Sequence, residues 1–301
     1  MPLRFIHCSD IHLLDLAGAH PGHFLNKRLT GGVNLLLSRG RKHNQNLFDQ
    51  IVAHALEYAA DRLVITGDLT NLALESEFVL VRRKLREAGL PITVIPGNHD
   101  TYTRGSARER RFEVFLGEFM EGERSEGDYP FIQRFDGVAL IGLSTAIPSL
   151  PLVAVGRVGE PQLVRLATML DRTAAEGLAR VVLIHHPVLP GVAKPRHDLL
   201  DLPAFGAVIA KHGAELILHG HIHVNSLAWL DGPARPVAAV GVPSASATPR
   251  GDERASYNLF RIARAGNGWS CEQVVRGFRE NEERVTELQR RPLVPSVAAF
   301  Q

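Results

Sequence analysis

Cysteine is almost missing: Cys8 and Cys271 are the two in 301 residues, and they stand far apart in the chain. They are too few for a disulfide framework, which leaves the fold to its apolar core and points to a reducing setting. Net charge is small as well, at +2, so no overall attraction to a polyanion is expected and nucleic acid is an unpromising partner. No uninterrupted apolar run approaches the roughly 18 residues that a membrane-crossing helix needs. Met1 runs directly into a strand-like LRFIHCS with no signal peptide pattern, so the expected location is cytoplasmic. Tandem repeats and low-complexity linkers are also missing, and a single layered domain is expected over two independent ones.

What is present is a chain with 45% hydrophobic residues and 14 histidines. Short runs rich in Val, Ile and Leu recur at 3–9, 62–66, 92–95, 138–144, 180–185 and 215–220, each reading as a buried strand. Between them Leu47, Ile51 and Ala55, then Phe78, Val81 and Leu85, then Leu163, Leu166 and Leu170 fall at helical spacing. That alternation predicts an α/β fold. After residue 225 strand-like pieces dominate: SLAWL, PVAAVGV, YNLFRIA and CEQVVRG. Residues 279–291 read as an exposed charged helix, so the expected division is a domain over 1–278 and a charged tail over 279–301.

Two stretches break the core pattern. Residues 16–48 hold five cations, Lys27, Arg28, Arg39, Arg41 and Lys42, and no acid. One reading is a solvated loop. The other is a broken amphipathic helix, with Phe24, Leu25, Leu29, Val33, Leu36 and Leu37 on its apolar side, making peripheral contact with an anionic inner-membrane surface or an acylated substrate. Residues 102–130 read as an irregular start followed by a short amphipathic helix. Both follow strand ends, where lids and substrate loops sit.

The strand ends carry the chemistry. The first ends in SDIH, with Asp10 and His12 two apart and therefore, in an extended segment, on one side. Alone this motif means little, since chance supplies about half a match in a chain of this composition. TGDLTN places Asp68 after the second strand, and PGNHD places Asn98, His99 and Asp100 after the third. Chance supplies a GNHD string roughly once in five hundred such chains. LIHHP then offers His185, and LILHGHIH offers His221 and His223, with Gly220 letting the backbone come close.

In an α/β sheet such strand ends gather along one edge. Seven side chains can then converge: Asp10, His12, Asp68, Asn98, His185, His221 and His223. Mixed imidazole and carboxylate donors suit Mn, Fe, Zn or Co, and seven are too many for one ion. Two divalent or trivalent ions about 3.5–4 Å apart would use them all if Asp68 bridged.

The ordered set SDIH, GDLTN, GNHD, HHP and GHIH resembles the calcineurin-like metallophosphoesterase superfamily, from residue 5 to 223. The resemblance implies a four-layer αββα sandwich of two mixed sheets flanked by helices, with 16–48 and 102–130 as cap insertions. It implies one ion on Asp10, His12, Asp68 and His223 and a second on Asp68, Asn98, His185 and His221. His99 would be the non-ligand histidine serving the leaving oxygen, with Asp100 as its orienting partner. A looser similarity, carried by GRVGEPQLVRLATML (156–170) and GVPSASA (241–247), points to the branch of bacterial cyclic-nucleotide phosphodiesterases and glycerophosphodiesterases.

The expected function is thus a metal-dependent phosphodiesterase acting on a small or amphiphilic phosphoester. The alternatives are a pyrophosphatase on a nucleotide-linked lipid of the UDP-diacylglucosamine type, or a non-catalytic scaffold on the same fold. Other residues take plainer readings. His219 is expected beside the site or in a structural role, His186 should point away from His185, and Cys8 should pack in its strand. His7, His54 and His212 show no partner in the sequence. Arg104, Arg250 and Tyr257 are not assigned to the substrate.

Overall fold

The computed structural model describes residues 2–17, 46–247, 254–279 and 284–294. In chain order these form β1 (Leu3–Cys8), α1 (Asn46–Glu57), β2 (Arg62–Ile65), α2 (Glu75–Glu87) and β3 (Ile92–Val94). Next come α3 (Arg104–Arg108), α4 (Arg111–Leu116), a 3-10 turn over Gly117–Met120, β4 (Glu123–Arg124), β5 (Phe131–Phe135) and β6 (Val138–Gly142). The chain continues through α5 (Glu160–Ala175), β7 (Ala179–Leu183), α6 (Leu202–His212), β8 (Leu216–His219), β9 (Ser226–Leu230) and β10 (Val237–Gly241). It ends in β11 (Ser256–Ala265), β12 (Gly268–Phe278) and β13 (Val285–Val294).

Two mixed sheets result, in the orders β13-β12-β11-β1-β2-β3 and β4-β5-β6-β7-β8-β10-β9. Within the first, β1, β2 and β3 run parallel; within the second, β6, β7, β8 and β10 do. Strand alternation explains the layering. Val181 and Leu183 of β7 enter the large core between the sheets, while Val182 and Ile184 face Leu166, Leu170, Phe205 and Ile209 of α5 and α6. Both faces of these strands are buried, so their sequences read as continuous apolar runs. A polar tie crosses the sheets: Arg62 Nη1 donates to Ile92 O (3.2 Å), Thr93 Oγ1 (3.0 Å) and Gln133 Oε1 (3.5 Å), and its guanidinium stacks 4.0 Å above Phe135.

One expectation is overturned. The charged tail is not a helix: β13 pairs antiparallel with β12 from Val285 opposite Phe278 to Val294 opposite Cys271, and Leu293 is buried. A helix here would leave β12 as an open edge. The segment 102–130 forms α3, α4 and the 3-10 turn, whose Phe112, Leu116 and Met120 are buried against α2 and β3. Residues 18–45, the bulk of the basic stretch 16–48, lie outside the described residues. Among the described residues no helix is long and apolar enough to cross a membrane.

Candidate metal centre

The candidate ligands stand just after the ends of the parallel strands, and after β1, β2 and β8 the backbone leaves the extended conformation at once. Five candidate ligands sit in left-handed backbone conformations there: Asp10 (φ 55°), His12 (45°), Asp68 (54°), His221 (71°) and His223 (55°). Such angles cost a non-glycine residue of order 1 kcal/mol or more and cluster where function demands them. Side-chain alternation in an extended segment is therefore not what brings Asp10 to His12 or His221 to His223. The left-handed turns do it. Two glycines make room. A Cβ on Gly97 would collide with the Asp68 carboxylate and lie 2.8 Å from His185 Cε1, and one on Gly220 would lie 2.6 Å from Asp10 Oδ2.

The candidate ligands form two groups. In one, His223 Nε2 lies 3.1 Å and His12 Nε2 3.7 Å from Asp10 Oδ1, with Asp68 Oδ2 4.0 Å from His12 Nε2. In the other, His185 Nε2 lies 3.1 Å from Asn98 Oδ1, 3.2 Å from His221 Nδ1 and 3.5 Å from Asp68 Oδ1. The two Asp68 oxygens thus face different groups. A third set, His12, Asp68 and His99, also brings its donor atoms within 4.8 Å of one another.

Backbone carbonyls fix the imidazole tautomers. His185 Nδ1 donates to Thr66 O (2.7 Å), His221 Nε2 to His197 O (3.1 Å), His12 Nδ1 to Thr70 O (3.3 Å) and His99 Nδ1 to Asn71 O (2.7 Å). The opposite nitrogen of each ring then presents a lone pair. At His185, two imidazole lone pairs, an amide oxygen and a carboxylate oxygen converge with no donor among them. That arrangement is repulsive unless a cation occupies it, so the donor set fits metal ions of the borderline, nitrogen- and oxygen-binding kind. Without metal a proton takes the role. Burial works to lower the His185 pKa, but the Asp68 carboxylate raises it to about 9. Burial likewise opposes ionisation of Asp68, yet His185, His99 and His12 hold its carboxyl well below the usual range.

The remaining candidates surround this cluster. His99 stacks on Tyr102 with centroids 5.2 Å apart, packs edge-on against His12 at 4.9 Å, and donates its backbone N–H to Asp68 Oδ1 (2.8 Å). The Asp100 carboxylate accepts hydrogen bonds from Leu69 N, Thr70 N, Thr70 Oγ1 and Gly97 N, so it pins the second and third motif loops together. The carbonyl of Asn71, not that carboxylate, holds His99 Nδ1. Burial and the neighbouring Asp68 charge push the Asp100 pKa up to about 7.

Several contributors stand in the motifs GDLTN and GVPSASA but received no role of their own from the sequence. Asn71 Nδ2 donates to His12 O (2.5 Å), while Ser244 Oγ (2.7 Å) and Ser246 Oγ (3.2 Å) donate to Asp10 O. His186 does not point clear of the cluster: its ring lies 5.2 Å from that of His185 and 4.3 Å from that of His221, while both its nitrogens are engaged elsewhere, Nδ1 2.7 Å from Thr145 Oγ1 and Nε2 donating to Ala154 O (3.0 Å). Buried His219 is held through Nδ1 at Gly220 O (3.2 Å). Tyr257 is buried, and its hydroxyl lies 3.0 Å from His54 Nδ1.

Two adjoining acid and imidazole clusters at the strand ends of two mixed sheets form a candidate centre for metal ions. The chain belongs to the calcineurin-like phosphoesterase family, which it matches over residues 3–225 and which uses a binuclear metal centre. It is 27% identical over 244 residues to a cAMP/cGMP dual specificity phosphodiesterase of Mycobacterium tuberculosis, covering 78% of this chain and 66% of that protein. It is 25% identical over 193 residues to a probable cyclic nucleotide phosphodiesterase of Psychrobacter sp., covering 61% and 53%. It is also 28% identical over 207 residues to the DNA double-strand break repair protein Mre11 of Sulfurisphaera tokodaii, covering 65% and 46%. The chain thus spans about half to two thirds of the length of these relatives. A dimetal phosphatase from Danio rerio superimposes with a TM-score of 0.65 at 13% identity, covering 97% of this chain and 99% of that one. Purple acid phosphatase PPD1 of yellow lupin gives 0.54 at 13% identity, covering 92% and 52%. Both likenesses concern the fold.

Proposed function

We propose that this protein is a phosphodiesterase in which two metal ions share Asp68, with cyclic nucleotides as the first substrate class to test. The observation that carries the reading is the division of the Asp68 carboxylate, Oδ2 toward His12 and Oδ1 toward His185. Ions bound there would supply Lewis acidity, activating water and neutralising phosphoryl charge. Asp10, His12, Asp68 and His223 would hold one ion, and Asp68, Asn98, His185 and His221 the other. Two of the three relatives named above carry cyclic nucleotide phosphodiesterase names, which supports a diester over a monoester.

The protein's own groups would do the rest. His99 has Nδ1–H fixed on Asn71 O, and Nε2, on the far side of the ring, is the atom that would meet the departing oxygen. Protonated there, it would donate a hydrogen bond or a proton to the developing alkoxide. Asp100 acts at one remove by fixing the loop that carries His99. Manganese-loaded protein should therefore hydrolyse bis-p-nitrophenyl phosphate and a cyclic nucleotide faster than p-nitrophenyl phosphate. Preference for the monoester, or hydrolysis that survives exhaustive chelation, would sink the proposal.

A further inference from the structure

Among the described residues twelve large hydrophobic side chains are exposed, and four of them, Leu150, Leu152, Val192 and Leu200, fall in two loops, 146–156 and 187–200. Single exposed apolar residues are ordinary, but a concentration beside a reactive centre is not. The loops are one structural unit. Ala154 N donates to Arg196 O (2.9 Å), Gly156 N to Asp198 O (3.0 Å) and Leu200 N to Gly156 O (2.9 Å). The unit is clasped to the metal centre from below. His186 binds Thr145 and Ala154, its ring lies 4.3 Å from that of His221, and His221 in turn donates to His197 O. Gly156 sits so close over His186 that a Cβ would stand 2.5 Å from Cε1 of that ring.

The tip of the first loop is a turn closed by Val153 N donating to Leu150 O (3.1 Å). On it Leu150 is 71% and Leu152 76% exposed, which makes the tip convex, unlike a groove that would receive a chain. Leu152 (φ 61°) and, on the paired loop, Arg196 (φ 69°) both occupy the left-handed region, where glycine or asparagine is the usual residue. Within the two loops the exposed charges are Lys194 and Arg196 against one carboxylate, Asp198. Projecting leucines on one loop with Lys194 and Arg196 exposed on its paired loop match an anionic lipid surface: apolar tips enter the acyl boundary while the cations remain among the headgroups.

We propose that loops 146–156 and 187–200 dock on an anionic lipid bilayer and hold the metal centre against it, so that the protein acts on phosphoesters presented at that surface. The idea takes from the phosphodiesterase reading only the position of the reactive centre. It is independent of residues 16–48.

The test is cosedimentation of the full, manganese-loaded chain with phosphatidylcholine vesicles, with and without phosphatidylglycerol, at low and high salt. The parent should pellet with the anionic vesicles and release as salt rises. Leu150→Ser with Leu152→Ser should raise the lipid concentration for half-binding roughly tenfold. Lys194→Gln with Arg196→Gln should abolish the preference for phosphatidylglycerol. All of these side chains are exposed, so melting temperature and hydrolysis of soluble bis-p-nitrophenyl phosphate should match the parent. Failure of the parent to bind anionic vesicles would overturn the proposal. So would unchanged binding by the double leucine variant, which would place the contact elsewhere in the chain. A parent that binds vesicles but hydrolyses no diester would refute the phosphodiesterase reading and leave the docking surface standing.

Discussion

His99 has one nitrogen committed to the Asn71 carbonyl and lies against His12 and Tyr102, outside both four-residue ligand sets. His99→Ala should therefore lower kcat on a cyclic nucleotide by roughly a hundredfold or more while leaving bound metal unchanged. Loss on bis-p-nitrophenyl phosphate should be smaller, because nitrophenolate needs little help to leave. Equal losses, measured side by side with metal content, would remove the leaving-group role. His7 behaves differently. It is fully buried, with Nε2 2.9 Å from Thr66 Oγ1, and burial followed by the nearby His219 pushes its pKa down to about 3. Between that value and the ordinary 6.5 the unfolded chain binds a proton that the folded chain refuses, so this group removes stability as pH falls. His7→Asn, which cannot titrate, should make the stability slope between pH 6 and pH 5 shallower by roughly 1 kcal/mol per pH unit. Urea denaturation at the two pH values, with parent and variant giving the same slope, would refute it.

At the scale of elements, strand β13 separates two accounts of the C-terminal region. As an exposed charged helix, residues 279–291 would bury nothing. As the observed edge strand, the segment covers β12 and buries Leu293 against the core between the sheets. Leu293→Ala should cost about 2–4 kcal/mol in chemical denaturation, the usual range for a buried leucine. A cost near zero would return the tail to solvent. The left-handed turns after β1, β2 and β8 show the same dependence on context, since each ends a strand that local propensity would have prolonged. Their strain is held by long-range hydrogen bonds, Asp10 N to Gly67 O and His12 N to Asp68 O among them.

For the whole molecule, the metal centre sits at one end of a fold with large apolar cores of its own. The core between the sheets and the core under α5 and α6 are built of apolar side chains, none of them a candidate ligand. Chelation should thus leave the circular dichroism spectrum intact while lowering the melting temperature by roughly 5–10 °C, the shift expected when ligands near a hundredfold above their Kd are removed. Converging His185, His221, Asn98 and Asp68 without a cation is the physical source of that loss. Cooperative unfolding on chelation would show that the ions are structural, and an unchanged melting temperature would show that they do not bind there.

The sequence by itself determined the strand and helix alternation, because buried parallel strands must be continuously apolar and their covering helices must repeat near every fourth residue. It also determined which residues collect at the strand ends, because Asp, Asn and His beside glycine turns have no place in such a core. The tertiary structure alone decided the rest. Val285–Val294 became a strand because the β12 edge was available to pair with it, although its charges pattern equally well on a helix. Asn71, Ser244 and Ser246 lie in the GDLTN and GVPSASA motifs, but their roles come from hydrogen bonds to the backbone of His12 and Asp10, which no spacing specifies. Asp100 went to the loop amides and Asn71 took His99, a choice set by which carbonyl stood in reach once both sheets had packed. Left-handed turns aimed Asp10, His12, His221 and His223, since a residue takes that conformation only when distant parts of the chain hold it there.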